Sequence, residues 1–215
     1  MIIHFAFALL SLSFQNCNGI MTINMLKQYN TPRPMWYKLS SGLKQQSRKW
    51  FIERAETLGV PWSSITSKYT NPLSFHNSMH LKTVLENLNI KYPSYYLQPF
   101  HGYDEGNLNW DAAQEAEAAT LSISSNYWKN TDPYTSAIWF RNNITEKIET
   151  YRNLHNLQTA NNILDIGCSI GISTENIRNL YKSAYVWGVD LSPYFLSIAE
   201  QRNIEFHHNL SLIHI

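Results

Sequence analysis

The chain has 215 residues, with 17 Lys and Arg against 16 Asp and Glu, for a formal charge of +1. That balance excludes a polybasic nucleic-acid binder or an acidic solvating tail as the default reading. Aromatic residues reach 13% while charged residues reach only 15%, against roughly 25% charged in an average soluble domain, so the composition is that of a core-forming chain and not a disordered one.

The length allows one full domain, or one small domain plus part of another, at roughly 100 to 200 residues per domain. The two cysteines, Cys17 and Cys168, lie far apart and match no paired metal spacing. Neither a disulfide scaffold nor a zinc site is expected, and a reducing compartment fits best. Ile2 to Phe14 (IIHFAFALLSLSF) is an apolar run of signal-peptide length, too short for a membrane span. No Lys or Arg precedes it and the cleavage pattern after it is poor, so it reads as a buried or mis-assigned stretch, with a secretory route as the alternative. The triplets Asn143-Ile144-Thr145 and Asn209-Leu210-Ser211 are glycosylation sequons only if the chain is secreted.

No internal repeat is visible, and the sequence changes character near Thr159. Residues 1–23 form the apolar segment, 24–158 a helical, aromatic-rich region, and 159–215 a strand, glycine turn and helix pattern. Ser47 to Leu58 is predicted as a basic amphipathic helix stopped by Gly59 and Pro61. Arg33, Lys38, Lys44, Arg48, Lys49 and Arg54 gather around it and read as a solvated face, because the overall charge is balanced. Tyr92 to Tyr103 (YPSYYLQPFHGY), punctuated by Pro93, Pro99 and Gly102, is predicted as an extended aromatic loop. Asn109 or Asp111 then caps a helix over Asp111 to Ser122. A third helix is predicted over Ile144 to Leu157, with Ile144, Ile148, Tyr151 and His155 as one apolar stripe. His155 on that stripe reads as a packed core-edge histidine, since no second ligand shares its face.

The stretch that carries chemistry begins at Asn162. Ile163 to Ile166 is a short apolar run suited to a buried parallel strand, broken at Gly167. A loop of small residues follows, then a helix from Ile172 or Ser173 to about Lys182. Glycines at a strand-to-helix turn permit a tight bend and let a ligand approach without meeting a Cβ, and the helix N-terminus directs free N–H groups into the same space. Ala184 to Val189 is a second strand ending at Asp190, and Ser192 with Pro193 opens the next helix through Arg202. In an open parallel sheet, ligands lie outside the carboxyl ends of the strands, where an acid at the second tip can accept from both ribose hydroxyls. Taken alone, Asp165 could equally be a strand-end turn residue and Asp190 a helix cap. Together with Gly167 and Gly171 in this order, they point to a nucleoside site.

On these residues, Ile163 to Thr174 with Val186 to Pro193, the sequence resembles the first and second motifs of the class I S-adenosylmethionine-dependent methyltransferases. Asp165, Gly167, Ser169 and Gly171 follow the family's pattern of an acid and three alternate glycines, with Ser169 replacing the middle glycine. The stretch from Pro93 to Trp139, containing Tyr103-Asp104-Glu105-Gly106-Asn107-Leu108-Asn109-Trp110, also resembles plant and cyanobacterial members of the superfamily. The resemblance implies a Rossmann-like α/β sheet, here with two to three parallel strands behind a mostly helical N-terminal region, and S-adenosyl-L-methionine as cofactor. It further implies that Gly167, Cys168, Ser169 and Gly171 line the methionine and ribose part. Asp190 would hold the ribose hydroxyls, Leu191 would pack on adenine, and Asp165 would lie near the methionine portion.

No catalytic residue, methyl acceptor or metal is indicated. A nicotinamide or flavin site fits less well, because Thr174 stands where the last glycine of G-x-G-x-x-G would fall. A non-catalytic interaction or regulatory fragment is the alternative of another class. Room remains after Arg202 for the start of a third strand at Ile204 to Phe206, and the first strand is expected to lack a neighbour on one edge, as in a truncated chain. His207 and His208 read as a solvent-exposed end. The cytosol or an organellar stroma of the chloroplast type is the expected compartment.

Overall fold

The computed structural model describes residues 2–4, 41–206 and 210–215, with side chains described for 46–206 and 210–215. Helix α1 (Ser41–Thr57) ends at Gly59, whose φ of +83° supplies the left-handed stop. The short helices α2 (Trp62–Thr70) and α3 (Pro72–Leu85) follow. Asn71 separates them, and its side chain accepts the Ser74 N–H at 3.0 Å with Pro72 opening the helix. Residues 87–109 carry no helix or strand beyond a bridge between Phe100 and Tyr103, the aromatic loop the prolines predict. Asn109, one of the two expected caps, accepts the Ala112 N–H at 2.8 Å and starts α4 (Trp110–Tyr127).

Helix α5 (Pro133–Leu154) begins well before the predicted Ile144, because Asp132 accepts the Thr135 N–H at 2.8 Å and Pro133 occupies the first helical position. The expected stripe on it is corrected too. Its buried face carries Ser136, Ala137, Arg141 and Thr145, whereas Tyr151 is 60% exposed. His155 is not a packed histidine: it is exposed, ends the helix, and sits with its ring 4.3 Å from that of Tyr151. The basic residues described on α1 lie on a largely solvated face, with Arg48 paired to Glu115 and Lys49 beside Glu53. Arg33, Lys38 and the Lys44 side chain lie outside the described residues.

The sheet is built from β1 (Ile2–His4), β2 (Asn162–Ile166), β3 (Tyr185–Asp190) and β4 (Ser211–His214), parallel throughout and in that order. Helices α6 (Ile172–Leu180) and α7 (Pro193–Phe206) make the crossovers. This is the expected Rossmann-like α/β arrangement. Two expectations change. Ile204 to Phe206 is the end of α7, and the third strand of the run lies later, at β4. Strand β2 has neighbours on both sides, because Ile2↔Leu164 and Ile3↔Asp165 pair on its far edge.

One core joins the helical region to the loop after β2 and to α7. Trp62, Ile65 and Tyr69 of α2 and Ala112, Ala113, Ala118 and Leu121 of α4 pack with Ile170, Phe195 and Ile198. Each large side chain fully buried in this way contributes about 1.5–3 kcal/mol. A second cluster, Ile163, Ile177, Tyr181, Ala184, Val186 and Leu210, gathers residues of β2, α6 and β3 with the turn before β4. Arg202 of α7 fastens the layers: it meets both Glu175 oxygens at 2.9 and 2.8 Å and Glu117 at 3.0 Å, while the Tyr69 hydroxyl donates to Glu117 at 2.5 Å.

Candidate functional site

Parallel pairing aligns the carboxyl ends of β2, β3 and β4, and the residues expected from the sequence to line a nucleoside site lie at the ends of β2 and β3 and in the turns after them. The loop after β2 bends through three left-handed residues, Gly167 (φ +79°), Ser169 (+52°) and Gly171 (+79°). That alternation explains the spacing of the motif, since an L side chain in this region costs about 1–2 kcal/mol and only Ser169 bears one. The loop is stitched to β3: the Gly167 and Cys168 N–H groups both donate to the Val189 carbonyl, at 2.8 and 3.0 Å, and the Ser169 N–H donates to Asp190 Oδ2 at 2.8 Å.

Asp190 ends β3 and is 8% exposed. Its other oxygen accepts the Ser192 N–H at 2.8 Å. The cap of α7 is therefore Ser192, whose Oγ accepts the Phe195 N–H at 3.2 Å and donates to the Asn107 carbonyl at 2.7 Å. Burial raises the Asp190 pKa, against the lowering effect of the Ser192 and Ser169 amides. Asp165, 1% exposed, accepts from the Thr174 hydroxyl at 2.7 Å through Oδ2, while its Oδ1 is buried without a partner. Burial raises this carboxyl as well, with Asp190 adding to the effect.

Cys168 turns its sulfur to the sheet, where a Cβ on Gly188 would stand 2.9 Å away. The thiol is 4% exposed at the residue level and burial pushes its pKa well up. Gly171 carries no side chain and no side-chain cap closes the start of α6, so its first N–H groups face the loop unblocked. Leu191 is half-buried, and its carbonyl lies 3.0 Å from His214 Nε2.

Residues that the sequence reading left without a role complete the rim. His214, at the end of β4 and 4% exposed, stands beside Asp190 in the register. Its Nδ1 accepts the Asn87 N–H at 2.8 Å, and the Tyr92 hydroxyl is 3.2 Å from Nε2. The Tyr96 phenol also lies beside Asp190 and Asn107, and burial, with Asp190 adding to it, raises its pKa. The aromatic loop was legible as a loop; that it lies over the tips of β3 and β4 follows only from the packing. Tyr103, in the same loop, donates to Glu115 at 2.5 Å and ties it to α4.

The described residues contain no group of three or more His, Cys, Asp or Glu placed to hold a metal. None of their helices is long and apolar enough to cross a membrane. Cys17, His207, His208 and Asn209 lie outside the described residues, as does Ile2 to Phe14 beyond the short β1. An open pocket lined by Lys68, Glu117, Glu175 and Arg202 includes none of the strand-tip residues.

Residues 163–214, from within β2 to the end of β4, match the family model described as a methyltransferase domain. This segment is similar in sequence to methyltransferase domains, and its parallel α/β sheet agrees with that likeness. Neither the comparison with curated proteins nor that with solved structures finds a match.

Proposed function

We propose that the strand tips bind S-adenosyl-L-methionine and that the chain serves methyl transfer to an acceptor. The observation that carries this reading is the bond from the Ser169 amide to the Asp190 carboxylate, which joins the glycine-bearing loop and the second strand tip into one rim. Within it, Asp190 takes the ribose hydroxyls and Leu191 packs on adenine. The backbone of Gly167, Cys168, Ser169 and Gly171 lines the ribose and methionine portion. Asp165 directs its unpartnered Oδ1 to the amino-acid portion, directly or through water, and supplies the acceptor an ammonium group seeks. The uncapped start of α6 suits the carboxylate of the same portion.

When bound, the sulfonium group supplies an electrophilic methyl. The protein's own contribution is to orient it and exclude water, with no covalent enzyme intermediate. A buried thiol at Cys168 suits a reducing compartment, the cytosol or an organellar stroma.

Calorimetric titration with S-adenosylmethionine tests the reading on the unchanged protein and on Asp190→Ala, with thermal melting to establish that the variant is folded. Two hydroxyl-to-carboxylate bonds predict a loss of affinity of roughly 100-fold or more. Equal heats in the two proteins, or none in the unchanged one, overturn it.

A further inference from the structure

The segment matched to the methyltransferase family does not build the strand-tip rim alone. Hydrogen bonds to it come from the aromatic region ahead of it, at the loop after β3 and at the end of β4. Ser192 Oγ donates to the Asn107 carbonyl at 2.7 Å, and His214 accepts the Asn87 N–H at 2.8 Å.

His214 has a defined protonation pattern. Nδ1 accepts a backbone N–H, so it carries no proton, and in the neutral ring the proton sits on Nε2. From there Nε2 donates to the Leu191 carbonyl at 3.0 Å and lies 3.2 Å from the Tyr92 hydroxyl. The two ring nitrogens therefore do different work. Nδ1 holds the chain after α3, and Nε2 holds the residue next to Asp190. With the ring 4% exposed and β4 in register beside Asp190, neither bond is exchanged for water at low cost.

We propose that His214 is a positioning residue of the cofactor site, fixing the Leu191 carbonyl through Nε2 and so the loop that presents Asp190 and Leu191. This rests on the methyl-donor reading above. It adds a residue that touches neither cofactor nor acceptor, and it makes the region of Asn87 to Asn107 part of the site's architecture. The aromatic segment is then a wall that sets the geometry of the adenine side.

The two nitrogens can be tested separately. In His214→Gln the amide nitrogen reaches the place of Nε2 and keeps a donor to Leu191, while the acceptor for Asn87 is lost. In His214→Asn the shorter side chain keeps an acceptor near Nδ1 and loses the donor to Leu191. Affinity for S-adenosylhomocysteine by calorimetry, melting temperature, and hydrogen exchange of the peptide spanning 188–194 are measured on both variants and on the unchanged protein. Both variants are expected to melt at similar, lowered temperatures. Only the Asn variant is expected to bind roughly tenfold more weakly and to exchange faster over 188–194.

Affinity and exchange that change equally in the two variants, or in neither, overturn the role of His214 while binding by the unchanged protein leaves the cofactor reading intact. Absence of binding by the unchanged protein overturns the cofactor reading, and with it this assignment.

Discussion

Ser169 and Asp190 stand 21 residues apart in the chain, yet the backbone N–H of the first lies 2.8 Å from the carboxylate of the second. The bond requires Ser169 to hold a φ of +52°, a conformation glycine adopts freely and serine does not. The loop therefore carries local strain where the motif departs from glycine.

Ser169→Gly should relieve that strain without removing the amide. The left-handed cost of about 1–2 kcal/mol is partly offset by the greater freedom of glycine in the unfolded chain, about 0.5–1 kcal/mol. A net gain of about 0.5–1 kcal/mol is expected in urea denaturation. A loss of stability would mean that the serine hydroxyl makes a compensating contact.

Asp165 holds a carboxyl with a pKa raised chiefly by burial. The native state thus binds its proton more tightly than the unfolded chain does. The favourable contribution is fully present below the ordinary value of 3.8 and is lost as pH rises through the raised native value. Asp165→Asn, which keeps an acceptor for Thr174, should melt higher than the unchanged protein at pH 7, with the difference vanishing as pH falls toward 3.8. Its affinity for S-adenosylmethionine should fall. Melting curves across pH that run parallel for the two proteins would contradict this.

Gly188 faces the underside of the loop, and a Cβ there would lie 2.9 Å from Cys168 Sγ and 3.0 Å from Leu212 Cδ2. Gly188→Ala should cost about 1–3 kcal/mol by overpacking. Adding Cys168→Ala should recover part of it, because the sulfur is the nearer atom. A double-mutant cycle in urea reads the coupling, and additive losses would show that the two residues do not meet.

Arg202 bridges Glu175 and Glu117, with all three side chains about nine-tenths buried. Arg202→Met removes the bidentate partner of Glu175 and leaves Glu117 with Lys68 at 3.9 Å and the Tyr69 hydroxyl, at a cost of about 3–5 kcal/mol. Equilibrium unfolding in urea measures it, and a loss below about 1 kcal/mol would show that the carboxylates simply take up protons.

The sequence showed the strand tips more clearly than the helices around them. From Ile163 to Arg202 the apolar runs are short, the breaks are glycines or Ser-Pro, and each unit is specified by neighbouring residues, so β2, α6, β3 and α7 fall close to their predicted ranges. Helices α2 and α3 went unread because their signals sit inside a run of Ser, Thr and Asn that also suits a loop; the Asn71-Pro72 pair was the available cue.

On α5 the large residues misled. The side that packs inward bears small and polar groups, Ala137, Arg141 and Thr145, because α4 lies close against it. Nothing local to His214 or Asn87 announces their bond, which spans 127 residues and exists only once α3 and β4 are packed.

Trp62, Ile65 and Leu121 share their packing with Ile170, Phe195 and Ile198, so the helical region and the strand-and-helix region draw on the same interior. Heating should therefore not peel the helical layer from the sheet in stages. A calorimetric scan would trace a single endotherm, and a protease would meet either an intact molecule or a wholly unfolded one.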